Sequence, residues 1–108
     1  MAKFILTDEA LAHTYNIRDY TRNRWGKQQV KQYLDTLRES LNQLAGNPLM
    51  GILRFKEEDI YSFPISSHTI YYTIHEDSIV ILAILHQSMT PELHLNNYKY
   101  ELIASLRN

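Results

Sequence analysis

Cysteine is absent from this 108-residue chain, which excludes disulfides, thiolate nucleophiles and cysteine-ligated zinc together. Charge of either sign is also without excess: 11 Lys and Arg against 12 Asp and Glu leave a formal net charge of -1. Whole-molecule electrostatics therefore exert no long-range pull on phosphate backbones, and contact with nucleic acid would need a local basic patch. No window approaches the ~18 apolar residues of a spanning helix, and the Phe4-Ile5-Leu6 run is too short for a signal peptide. There is no internal repeat, low-complexity tract or linker. What remains is the composition of an ordinary globular protein, 44% hydrophobic, expected in the cytoplasm as one domain over residues 1–108. A chain of this length buries roughly two thirds of its unfolded surface, enough for one small core.

Phe4-Ile5-Leu6 reads as a short strand. Thr7 then offers a hydroxyl to the free amides of a first helical turn, and Asp8 and Glu9 complement its dipole. Ala10, Thr14, Ile17, Thr21 and Trp25 recur every three or four residues, and Gly26 can take the positive φ of a helix end. In the next segment Val30, Tyr33, Leu34, Leu37, Leu41 and Leu44 share one face, and Gly46 and Pro48 mark its end. Two helices joined through Gly26 predict an antiparallel hairpin.

From Ile60 the period changes to two. Ile70, Tyr72 and Ile74 alternate with Thr69, Tyr71 and Thr73, giving a strand with one drier face, and residues 79–85 are apolar on both faces, as in a central strand. Pro64 lacks an amide donor and places the strand over 60–65 at a sheet edge or a bulge. Residues 46–59 read as an irregular loop. Thr90-Pro91-Glu92 opens a final helix over about 91–106, with Leu95, Tyr98, Leu102 and Ile103 on one face. The order is βααβββα, an α+β fold with a helical hairpin packed on an antiparallel-dominated sheet.

Five segments together resemble the ParE branch of the RelE/ParE toxin superfamily: Tyr20 with Trp25-Gly26, Pro48 with Gly51, Ser62-Phe63-Pro64, His68 to Tyr72, and Ile81 to His86. Each is weak alone; five in order over about 90 residues form a fairly specific signal. The resemblance implies a toxin of a type II toxin–antitoxin system that binds and inhibits DNA gyrase, needs no cofactor and is neutralised by a ParD-like antitoxin. It also implies a blocker rather than an enzyme, with no direct nucleic-acid binding. The related RelE branch shares the fold but cleaves ribosome-bound message, and a degenerate toxin that only binds antitoxin is a third reading. The chain departs from the ParE pattern at Tyr61, Ser67 and Ala83, where arginine is common, and at Thr90, where aspartate is frequent.

Phosphoryl chemistry wants clustered cations and a proton carrier. No Lys or Arg occurs between positions 60 and 95, so an RNase would have to rely on His86 and Arg54. His86, at the end of an apolar strand, is expected to make a structural hydrogen bond, and no histidine spacing suggests a metal site. Partner contact is expected from Arg18 and Arg22, the core of the one dense basic cluster, and from Tyr61, Phe63 and Tyr71 on the strands. Trp25 has two competing roles, anchoring a partner or sealing the core, of which the core is expected.

Overall fold

The structure is a computed structural model and describes residues 3–95. Strand β1 (Lys3–Leu6) leads into helix α1 (Asp8–Trp25) and helix α2 (Lys27–Gly46). A 3-10 turn (Pro48–Met50) precedes strands β2 (Ile52–Phe55), β3 (Ile60–Ile65), β4 (His68–His75) and β5 (Ser78–His86). Residues 91–95 are helical after Thr90, as the Thr-Pro-Glu signal predicts; the rest of the expected helix, with Tyr98, Leu102 and Ile103, lies outside the described residues.

One five-stranded sheet runs in the order β1-β5-β4-β3-β2. Only β1 pairs parallel, with Lys3 opposite Ser78 and Leu6 opposite Ile81; the other three pairings are antiparallel. The two-residue turns Ser66-Ser67 and Glu76-Asp77 each place their first residue at positive φ, 53° and 55°, as tight hairpins require. Segment 46–59 is not the irregular loop expected: it contains β2, which forms the sheet edge and pairs Ile52 with Ser62. The strand carrying Pro64 is therefore not an edge strand along its first half. Its second half, Phe63 to Ile65, lies past the last β2 pair, so the missing proline donor deprives no neighbour.

Thr7 fixes the start of α1. Its Oγ1 accepts from Ala10 N–H at 3.1 Å and donates to the Leu82 carbonyl at 3.3 Å, joining the helix cap to the interior strand β5. Gly26 is the whole connection between the helices, at φ 95°, and its amide donates to the Arg22 carbonyl at 3.0 Å.

The hairpin covers one sheet face. Ala10, Ile17, Leu37, Leu41 and Leu44 pack on Ile70, Tyr72, Ile79, Ile81 and Ile84, all buried. The opposite face is dry as well, with Ile60, Val80, Leu82, Ala83 and Leu85 under Leu95. A bulge explains how β5 serves both: Tyr71 pairs with Ala83 but Tyr72 with Ile81, so Leu82 is the extra residue, and it and Ala83 join the same core cluster.

Candidate functional site

Between the tip of the hairpin and the ends of β4 and β5 lies a groove of about 840 Å³. Its walls are Tyr20, Arg24 and Trp25 from α1 and Gln29, Gln32 and Tyr33 from α2; Ser67, His68, His86 and Met89 close it from the sheet side. Trp25 overturns the expectation of a core residue, being 65% exposed, and Tyr20 is 61% exposed. Helix geometry gives the reason. Ala10 and Ile17 lie within about 20° of one line along α1, whereas eight residues beyond Ile17 the helix has turned about 80° further. Trp25 therefore faces the groove mouth, with the Arg24 guanidinium 5.7 Å from its ring centre.

The groove floor carries two histidines paired across β4 and β5. Their rings meet edge to face with centroids 5.4 Å apart. The Tyr33 hydroxyl lies 2.8 Å from His68 Nδ1, satisfying the polar end of a tyrosine that otherwise packs against the core. Burial, followed by the nearby His86, lowers the pKa of His68 below its ordinary value, while burial pushes Tyr33 up to about 12. Tyr33 is thus a neutral hydroxyl at any physiological pH. His86 Nδ1 accepts from the Ser88 amide at 3.1 Å and meets the Ser88 hydroxyl at 2.8 Å, which places a neutral ring's proton on Nε2. This is the structural hydrogen bond expected of His86. Among the described residues, Arg24 is the one Lys or Arg on the groove lining, and no Asp or Glu lines it.

The sequence-predicted contact residues do not form one surface. Arg18 and Arg22 both reach Asp19, at 3.0 and 3.2 Å, and neither lines the groove. Arg18 also stacks over Tyr15 at 5.0 Å. Tyr61 and Phe63 are half-buried against the helix-side core, and Tyr61 stacks on Tyr72 with centroids 5.5 Å apart. Tyr71 corrects the expectation of an exposed side chain. It is 7% exposed on the opposite face, because the second apolar side of β5 has to be covered too. Only Trp25 of the six reaches the groove.

Arg54 and His86, the pair an RNase would need, are not brought together either. Arg54 lies over Phe55 and its charge acts on Tyr71, on the face away from the helices, whereas His86 lines the groove. Among the described residues no three His, Cys, Asp or Glu side chains cluster to hold a metal ion. Tyr20 and Tyr33 are groove residues that site reasoning missed, whereas Arg24, a neighbour of Arg18 and Arg22 in the expected basic cluster, does line the groove. A tyrosine on the apolar face of α2 was the available signal, since its hydroxyl needs a partner once buried.

The architecture defines the class: a two-helix hairpin over a mixed five-stranded sheet is the RelE/ParE fold. The solved structure of the chromosomal ParDE TA system from P. aeruginosa superposes with a TM-score of 0.68 over 80% of this chain and 96% of that one, at 18% identity. The sequence profile of the ParE toxin of type II toxin–antitoxin systems, parDE, matches residues 4–91. Toxin ParE1 of Mycobacterium tuberculosis strain H37Rv is 32% identical over 96 residues, covering 87% of this chain and 98% of that protein. Toxin ParE1 of Caulobacter vibrioides is 30% identical, covering 88% and 99%. Toxin ParE of Escherichia coli is 27% identical, covering 82% and 88%. This chain belongs to the ParE toxin family.

Proposed function

We propose that this protein is a cytoplasmic toxin that acts by binding: a ParD-like antitoxin silences it by covering the hairpin-tip groove, and the released toxin obstructs DNA gyrase. Membership of the ParE toxin family supports the toxin role. The observation that carries the rest is the exposure of Trp25 and Tyr20 at the mouth of a groove. Large aromatic faces on a pre-formed concavity suit a protein partner, because they supply contact area with little side-chain entropy to lose.

The groove chemistry speaks for blocking rather than bond cleavage. A phosphoryl-transfer site needs several fixed cations around the reacting phosphate, and among the described residues one arginine stands at the rim. His86 spends Nδ1 on the Ser88 amide, and Arg54 is on the other face.

The test is DNA supercoiling by purified gyrase with increasing toxin, repeated after pre-mixing with the ParD-like product of the neighbouring reading frame. Inhibition relieved at equimolar antitoxin is the expected result. No inhibition at a tenfold excess of toxin over gyrase would refute the target, and complex formation without inhibition would identify a toxin that retains only antitoxin binding.

A further inference from the structure

We infer that the hairpin-tip groove seats a carboxylate-bearing segment of the antitoxin over the His68–His86 pair, and that this binding takes up a proton. The inference rests on the antitoxin reading above and adds the chemistry of the contact. Four observations carry it.

First, the groove is one-sided in charge. Arg24 lies on its lining together with two histidines, and among the described residues no Asp or Glu lines it. Second, the histidine rings meet edge to face with centroids 5.4 Å apart, so a charge on one acts directly on the other, and one carboxylate seated over the pair acts on both. Third, both Nδ1 atoms are engaged inside the protein, His68 with the Tyr33 hydroxyl and His86 with Ser88. Each ring is left with Nε2 as the atom able to meet a partner. Fourth, among the described residues the titratable or charged groups facing the pair are Arg24 and Tyr20 from α1, Tyr33 from α2 and the histidines themselves from β4 and β5; Ser66 and Ser67 from the turn are uncharged.

In the free protein, burial and then His86 disfavour the protonated form of His68. A carboxylate brought to the pair acts in the opposite sense and favours the protonated ring. The complex then binds more protons than its separate parts, so affinity rises as pH falls. One fully coupled proton gives a limit of about tenfold tighter binding per pH unit, within the histidine range of roughly pH 5.5 to 7.5. An apolar segment in the same groove would desolvate His68 further and reverse the sign.

The experiment is calorimetric titration of the full-length toxin with its operon's ParD-like antitoxin at pH 6.5, in phosphate and in Tris buffer. The difference in heat between the buffers gives the protons exchanged. Uptake of between half a proton and one proton is expected, falling toward zero in His68→Gln with the complex still formed. Binding with no uptake, or with proton release, would overturn the inference and leave the antitoxin reading standing. Failure to bind at all would overturn both. Thermal melts of His68→Gln and of His86→Gln separate a binding effect from loss of fold, and the antitoxin-free chemical shifts of both rings, followed against pH, show which one takes the proton.

Discussion

Replacing Tyr72 with phenylalanine removes one oxygen and breaks two hydrogen bonds that hold the 3-10 corner to the core. Tyr72 is fully buried, yet its hydroxyl donates to the Pro48 carbonyl at 2.6 Å and accepts from the Gly51 amide at 3.1 Å. Both backbone groups lose their protein partner in Tyr72→Phe, which costs about 2 kcal/mol and lowers Tm by about 8 to 16 °C in a domain of this size. Gly51 is part of the same device. A Cβ added there would overlap the Tyr72 hydroxyl, 2.8 Å from the Ser62 carbonyl and 3.0 Å from the Tyr72 ring carbon that bears the oxygen. Gly51→Ala therefore overpacks, at a cost of about 1 to 3 kcal/mol. In the double variant the hydroxyl is gone, and one of the two clashes goes with it. Urea unfolding of the four proteins should show a double variant less destabilised than the sum of the singles by at least about 0.5 kcal/mol. Additive costs would show that the hydroxyl and Gly51 do not share one close contact, and the account of this corner would be wrong.

Trp25→Ala should leave stability within about 0.5 kcal/mol of the parent, since the side chain is largely exposed, while weakening antitoxin binding by about 2 kcal/mol or more in a fluorescence or calorimetric titration. Thr7→Ala should cost about 1 to 2 kcal/mol, because one hydroxyl caps α1 and holds the Leu82 carbonyl, whereas Thr7→Ser should recover most of that. His13 gives a pH signature: its Nδ1 accepts the Ile84 amide at 3.2 Å, and burial is the main cause lowering its pKa from the ordinary 6.5, against an opposing pull from Glu9. The unfolded chain then binds the proton more readily, so this stabilisation is complete above pH 6.5 and is lost as pH falls through the folded value; His13→Gln should flatten that limb of the pH–Tm curve.

Local chemistry was legible wherever a residue's own neighbours decide its state. The Thr7 cap, the Gly26 joint, the Leu37-Leu41-Leu44 face and the doubly buried β5 all follow from spacing and residue type. Strand β2 was not legible because its four residues alternate nothing: Ile52, Leu53 and Arg54 are all exposed, and the strand exists through pairing with β3. Tyr71 and Trp25 were misplaced for a common reason. Whether a face is covered depends on elements distant in sequence, Leu95 for Tyr71 and the ends of β4 and β5 across the groove from Trp25. The groove itself could not be read from the chain, since it assembles residues from 16 to 89 that meet only in the fold.

The proposed action is blocking without bond cleavage, and Arg54 and His86, the pair an RNase would need, lie on different faces of the sheet. The measurement that bears most directly on it runs two assays on one preparation of toxin and of His86→Ala: gyrase supercoiling, and mapping of 5′ ends on ribosome-bound message. The account predicts that both proteins inhibit supercoiling and that neither creates new ends. New ends made by the parent and abolished in His86→Ala would contradict it.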